Sequence, residues 1–414
     1  MSRLKFLSHF SSHTGSAMIG GVIQLITITV MAGIYGPQAF SALAAFMAMS
    51  HALAFFTSLN LGGYTISLTA RLERMNFAST LVTGTILFTC IALMLCSVAW
   101  IAVPAHWLPT GILILPFYAA AQAFSSIFFG LHLAAARTFW AAAALLLRPT
   151  LFFAIALLFQ WLHPAAITLI ASVVLAEVLV CLMLYTGLAG TERDQIFRLS
   201  LARWRVSWRR HHKFYLTGGL GSYLSNLAMN TPILLGGWIM TPTQMGNFAL
   251  ALRLMSAPVR MIGAPIGAIV NRSIARHYRD EQAIGRKIFV TYGLGVLIGM
   301  VGFALLAYLL RAFEYLLPTD WVEMTDYAPV VFCAGVFLFA TSTIGFLPLL
   351  IKNLWFLTIW STGRILGLSC SMLAVIAMDL APITFLGLFA TVEICASLVF
   401  VAGNTLKLKS QGRI

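Results

Sequence analysis

Charge is what this chain has least of. Charged residues make up 9% of its 414 positions, and only 12 of them are Asp or Glu, whereas ordinary soluble domains carry roughly 25% charged residues. A soluble fold could not cover its surface with so few polar groups, so a cytosolic multidomain protein is excluded. The 12 carboxylates are also too scattered for hydrolytic catalysis, and no His/Cys cluster has zinc-ligand spacing. No Walker A pattern is present, so the chain does not hydrolyse ATP. Together these absences argue against an enzyme, and no cofactor or metal is called for. The six cysteines, Cys90, Cys96, Cys181, Cys333, Cys370 and Cys395, lie inside apolar runs. None has ligand spacing or a place in an exposed loop where disulfides form, so they read as packing residues.

What is abundant is apolar surface. Hydrophobic residues reach 60% and mean hydropathy is +0.92, spread from end to end. A spanning helix needs about 20 mostly apolar residues. On that length the chain reads as about twelve spans, at roughly 14–35, 40–66, 77–101, 109–133, 138–161, 164–188, 214–239, 245–271, 288–310, 327–350, 355–377 and 381–404. The first is long enough to be a retained helix rather than a cleaved signal.

The net charge of +14 does not form a stripe for nucleic acid; it sits in the gaps between spans. Twenty-one of the 26 lysines and arginines fall on the side shared by both termini, and one, Arg311, on the other. By the positive-inside rule both termini are cytoplasmic. The longest connection on that side, 191–213, is basic and carries Trp204 and Trp208, which suits a topology-setting segment against anionic lipid headgroups. It separates an N-terminal bundle, residues 1–190, from a C-terminal bundle, residues 214–414. The opposite side is acidic near span 10, with Glu314, Asp320, Glu323 and Asp326, as a solvated outside loop would be.

The halves repeat. Pro37 and Pro242 open spans 2 and 8, and Ala70-Arg71-x-x-Arg74 and Ala275-Arg276-x-x-Arg279 close them, all offset by 205. Arg137 and Trp140 match Lys352 and Trp355 at 215; Arg148 and Glu177 match Arg364 and Glu393 at 216. Six spans per half place the halves in the same direction, related by an axis along the membrane normal. The fold expected is therefore an all-α polytopic membrane protein, two six-helix bundles around a central cavity.

Ionisable residues at bilayer depth are costly, about 2.5–3.5 kcal/mol on insertion scales, and so pair or line water. Six qualify. Arg148 with Glu177, and Arg364 with Glu393, lie at matching depths on consecutive helices; each is either an ion bridge locking a bundle or a protonation- or substrate-linked switch. Arg253 and Arg260 have no acidic counterpart in the sequence pattern. Seven residues apart on span 8, they are two turns apart on one face, about 10 Å along the axis. They are not repeated in span 2, where Ala48 and Phe55 stand. Guanidinium forks suit phosphate oxygens, so Arg253 and Arg260, with Arg148 and Arg364, are the candidate anion-binding residues of a cavity.

Three stretches carry a family likeness: Asn230 to Arg279, its echo GPQAFSALAAF from Gly36 to Phe46, and Leu317-Pro318-x-x-Trp321 ahead of span 10. The chain resembles polysaccharide flippases of the O-antigen translocase type, within the superfamily that also holds the multidrug and toxic-compound extruders. The resemblance implies a carrier that moves an undecaprenyl-diphosphate-linked oligosaccharide from the cytoplasmic to the periplasmic leaflet of a bacterial inner membrane. Its partners would be that substrate, membrane lipids and other polysaccharide assembly proteins, with a proton or sodium gradient left open as the driving force. The alternative is a cation-coupled small-molecule exporter of the same fold. Typical extruders carry a carboxylate in the first span, however, and here that span offers only Gln24.

Overall fold

The computed structural model describes the chain apart from residues 1–2, 58–70, 103–110, 162–164, 199–201, 203, 207–208, 210–218, 264–265, 268–269, 271–273, 275–276, 279–282, 313–317, 352 and 413–414, and apart from the side chains of 3–14, 17, 54–57, 260 and 349. Among the described residues there is no strand. The helices are α1 (Arg3–Thr57), α2 (Arg71–Ala102), α3 (Leu115–Ala134), α4 (Thr138–Gln160), α5 (Ala166–Thr186), α6 (Gly190–Ile196), α7 (Leu220–Gly236), α8 (Pro242–Pro258), α9 (Gly285–Ala312), α10 (Val322–Thr343), α11 (Leu347–Leu350), α12 (Leu354–Ala377) and α13 (Pro382–Ser410). Among the described residues nine helical segments are long and apolar enough to cross a membrane. The chain is an all-α, multi-pass membrane protein.

The expected spans map onto these helices with two adjustments. Spans 1 and 2 form one element, α1, broken at Gly36, whose φ of 71° and ψ of 170° leave the helical region. A side chain is disfavoured at that φ, and Pro37 next to it gives up its N–H, so the chain turns without losing a donor. Spans 7 and 8 fall on α7 and α8, of 17 residues each. Helix α8 starts sharply: Gln244 N–H donates to Thr241 Oγ1 at 3.3 Å, Gln244 Oε1 accepts from the Thr241 N–H at 3.1 Å, and Pro242 stands at the first turn, a reciprocal cap. Its other end runs through Pro258 into a π-helical turn, Val259–Gly263.

The chain divides into two compact units. The first comprises Met1–Tyr35 and Ala42–Asn226, the second Gly36–Ser41 and Leu227–Ile414. The division falls within α7 rather than at residue 213, because the start of α7 is held in the first unit, where the Tyr223 hydroxyl donates to the Ala52 carbonyl at 3.0 Å. The first unit packs Met75, Phe77 and Leu81 of α2 against Ile127 and Phe128 of α3 and Val180 and Leu184 of α5. In the second, α10 is the central helix, two-thirds buried, packed on α9, α13 and α8.

Many hydroxyls within helices satisfy themselves locally: Thr27, Thr80, Thr83, Thr85, Ser172 and Thr231 each donate to the carbonyl four residues earlier, which spares these protons from being stranded in hydrocarbon; the fully buried Ser361 Oγ makes no such bond. The cysteines are free, but the packing role expected for them holds least for Cys90, Cys333, Cys370 and Cys395, which are exposed on their units. Those faces are apolar, as lipid-facing helix surfaces are.

Candidate functional site

Each unit builds the same bridge. Arg148 is the eleventh residue of α4 and Arg364 the eleventh of α12. Glu177 and Glu393 are each the twelfth residue of the following helix. Both pairs are 29 residues apart and both are closed. Arg148 Nη2 donates to Glu177 Oε1 at 2.9 Å and Nε stands 2.8 Å from Oε2. Arg364 Nη2 reaches both Glu393 oxygens at 2.7 Å.

The surroundings differ. Arg148 is 48% exposed and Nη2 also donates to Ser125 Oγ at 2.9 Å. Arg364 and Glu393 are 2% and 1% exposed. The guanidinium lies over the Trp360 ring, 4.8 Å from its centroid, with Met229 Sδ 3.4 Å from Nη2. Arg364 Nε makes no hydrogen bond. Position 341, which matches Ser125 at the 216 offset, carries Thr341, and its hydroxyl is engaged instead by Ser397. Ser397 in turn contacts the Tyr292 hydroxyl at 2.8 Å and donates to the Phe337 carbonyl at 3.1 Å. The second bridge is thus dry and held by aromatic and thioether contacts, while the first is open and held by a hydroxyl. Burial, with 2% of the side chain exposed, keeps the unused Nε donor of Arg364 away from a ligand in this conformation.

Arg253, the twelfth residue of α8, is partly buried and lies over the ring of Phe40, 5.7 Å from its centroid. Phe40 itself is fully buried, in an edge-to-face contact with Trp321 at 5.5 Å. Trp321 is the tryptophan of the Leu-Pro-x-x-Trp motif, and Asn247 Nδ2 beside it donates to the Asp320 carbonyl at 3.1 Å. Close packing makes this possible: a Cβ on Gly246 would lie 2.0 Å from the Pro37 carbonyl oxygen. The backbone of Arg260 falls inside the π-helical turn, and its side chain lies outside the described residues. A π turn takes up an extra residue, so the count that places Arg253 and Arg260 on one α-helical face does not carry across Pro258.

Sequence reasoning missed Ser125, Trp360, Met229 and Phe40. Ser125 could have been suspected, since its counterpart at the same offset is another hydroxyl residue. Of the basic linker 191–213, residues 199–201, 203, 207–208 and 210–213 lie outside the described residues. Of the acidic loop, Asp326 meets Arg311 at 3.4 Å and Glu323 accepts from the Tyr327 hydroxyl at 3.1 Å.

A second cluster lies at the ends of the helices. Glu192 of α6 accepts from both arms of Arg137, at 2.7 and 3.1 Å, and from the Ala189 N–H at 3.1 Å. Burial pushes its carboxyl pKa up, but the hydrogen bonds from Arg137 and Ala189 and the charges of Arg137 and Arg71 outweigh this and hold it below the ordinary value.

No protein-family model matches the chain, and no curated protein matches it by sequence. Its fold does match solved structures. An inward-facing multidrug resistance MATE family transporter of the MOP superfamily aligns over 95% of this chain and 98% of its own, with a TM-score of 0.66 at 13% identity. The lipid II flippase MurJ in an inward closed conformation aligns over 94% and 88%, at 0.71 and 13%. A MOP superfamily transporter from Pyrococcus furiosus, described by the reverse polarity of its binding pocket, aligns over 98% and 96%, at 0.56 and 15%. A helical, multi-pass membrane protein is therefore the class. Its particular fold is similar to that of these MOP superfamily transporters.

Proposed function

We propose that this protein is a flippase for an anionic lipid-linked glycan. It moves an undecaprenyl-diphosphate-linked oligosaccharide, a repeat unit of O-antigen or another surface polysaccharide, from the cytoplasmic to the periplasmic leaflet of a bacterial inner membrane by alternating access. The observation that carries this reading is the charge balance at membrane depth. Four arginines, Arg148, Arg253, Arg260 and Arg364, stand there against two glutamates, Glu177 and Glu393, and both glutamates are engaged by Arg148 and Arg364. The surplus is cationic, which favours a diphosphate and disfavours a cationic drug. Arg253 contributes a guanidinium oriented by Phe40. The fold shared with a lipid II flippase supports the same class of cargo, and 21 basic residues on the side of both termini support cytoplasmic ends. The Arg148–Glu177 bridge, being half-exposed, is the better placed of the two to open during transport, whether by substrate or by a coupled proton.

A strain lacking the gene tests this. Loss of surface polysaccharide with lipid-linked repeat units accumulating inside, restored by the wild-type gene but not by Arg253→Ala, is the expected result. The second reading, a cation-coupled small-molecule exporter, is favoured by the fold match to an inward-facing MATE transporter over 98% of that chain. It predicts normal surface glycan with altered drug sensitivity, a result that would replace the first.

A further inference from the structure

The second cluster has a shape that membrane topology alone does not explain. Arg71, Arg74 and Arg137 converge with Glu192 on one cavity of about 270 Å³, whose lining also includes the apolar Met75, Leu131 and Ala135. Setting orientation requires only that positive charge stay on this side; it does not require three guanidiniums drawn together, where they repel one another. Nor does Glu192 need all three. Its two oxygens are already taken by the Arg137 fork and the Ala189 N–H. Arg74 Nη1 is anchored on the Ala134 carbonyl at 3.1 Å, beside the cavity. Arg71 stands 3.9 Å from Glu192 Oε1 and 3.5 Å from Thr191 Oγ1, its side chain 69% exposed. Among the side chains that line the cavity, three cations and one carboxylate leave a formal surplus of two positive charges.

We propose that this cavity binds the phosphate head group of an anionic phospholipid in the surrounding leaflet. Arg71 and Arg74 would take the phosphate oxygens, and the Arg137–Glu192 bridge would hold the rim in place. Several features point to a lipid rather than to a soluble anion. Part of the lining, Met75, Leu131 and Ala135, is apolar, fit for the glycerol end of the head group. The cavity is smaller than the roughly 300–1,000 Å³ of sites that enclose a whole small molecule. It also opens where α2 begins and α3 ends, the level at which basic pockets between membrane helices take anionic head groups. Arginine forks match phosphate geometry. The inference uses the reading of this side as cytoplasmic but not the identity of the transported cargo. It also gives the first of the two Ala-Arg-x-x-Arg repeats a role: of its arginines, both line the site.

The test uses the purified full-length protein in mixed micelles and reads the affinity for dioleoylphosphatidylglycerol, by thermal shift and by lipid retention in native mass spectrometry. Dioleoylphosphatidylcholine and inorganic phosphate serve as comparison ligands. Each arginine near a phosphate head group is worth about fivefold in affinity. The expected result is therefore saturable phosphatidylglycerol binding, weakened about fivefold by Arg71→Gln and about 25-fold by Arg71→Gln/Arg74→Gln. Arg311→Gln at the opposite end should leave it unchanged. Because Arg74 also holds a helix end, the exposed single variant Arg71→Gln is the deciding one. Unchanged binding in Arg71→Gln, or an equal loss in Arg311→Gln, would overturn the proposal. So would Arg71-dependent binding of inorganic phosphate without any of phosphatidylglycerol, which would assign the cavity to a soluble anion.

Discussion

Replacing Glu393 by glutamine keeps the shape of the side chain and removes its charge, which leaves Arg364 as a buried cation with no counter-ion. The same replacement of Glu177 leaves Arg148. The two substitutions are chemically identical and occupy matching positions in the repeat, so the difference between them isolates burial. Arg364 is 2% exposed, with Glu393 at 1%, and removing one partner of such a pair costs about 3–5 kcal/mol, because the remaining charge stays desolvated. Arg148 is 48% exposed and retains Ser125 as a partner, which places its loss near the ~1 kcal/mol of a partly solvated bridge. For units of roughly 200 residues each kcal/mol shifts the midpoint by about 2–4 °C. Thermal unfolding in detergent, followed by tryptophan fluorescence, should therefore show Glu393→Gln falling by about 6–20 °C and Glu177→Gln by only a few degrees. The double variant Arg364→Met/Glu393→Leu should recover most of that loss, since an apolar pair of similar volume replaces a costly buried one. Equal losses in the two single variants, or a larger one in Glu177→Gln, would refute the reasoning.

Other consequences are open to measurement. Gly246→Ala should lower stability by about 1–3 kcal/mol, because its Cβ meets backbone at Pro37 rather than a movable side-chain tip; a midpoint equal to wild type would contradict the close approach. Trp321→Ala removes a fully buried ring from Phe40 and should cost about 3–5 kcal/mol, read in the same unfolding assay. Arg253→Lys keeps the charge and loses the planar fork over Phe40, so transport should fall severalfold while the thermal midpoint barely moves. Glu192 has a pKa below its ordinary value of 4.5. Its contribution to stability is thus fully present above that value and is lost as pH falls through the lower folded value. Wild type should lose midpoint between pH 5 and pH 3 more steeply than Glu192→Gln, and parallel curves would count against the bridge.

Much of this was legible in the sequence because membrane proteins write their architecture coarsely. Apolar length locates α2 to α5, α9, α10, α12 and α13, and the 216-residue offset brings out Arg148 with Glu177 and Arg364 with Glu393 from the sequence alone. What was hidden depends on contacts that leave no local pattern. Arg137 reads as a topology charge and Glu192 as linker, yet they meet across 55 residues. Met229 reaches Arg364 across 135. That the bridges differ in burial leaves no pattern in the sequence, since it depends on Trp360 and Met229 packing around one and not the other. The Pro258 π turn is a third case: a proline announces a bend but not the extra residue that shifts Arg260 off a simple helical count.

The central claim, an anionic lipid-linked cargo handled by a cationic membrane interior, is tested most directly by reconstituting the protein into vesicles. Transbilayer movement of a fluorescent polyprenyl-diphosphate oligosaccharide is then followed beside export of a cationic dye. The account predicts movement of the diphosphate cargo, lost in Arg253→Ala and competed by unlabelled cargo, with no dye transport above empty vesicles. Dye transport that tolerates Arg253→Ala, with the diphosphate cargo left in place, would contradict it.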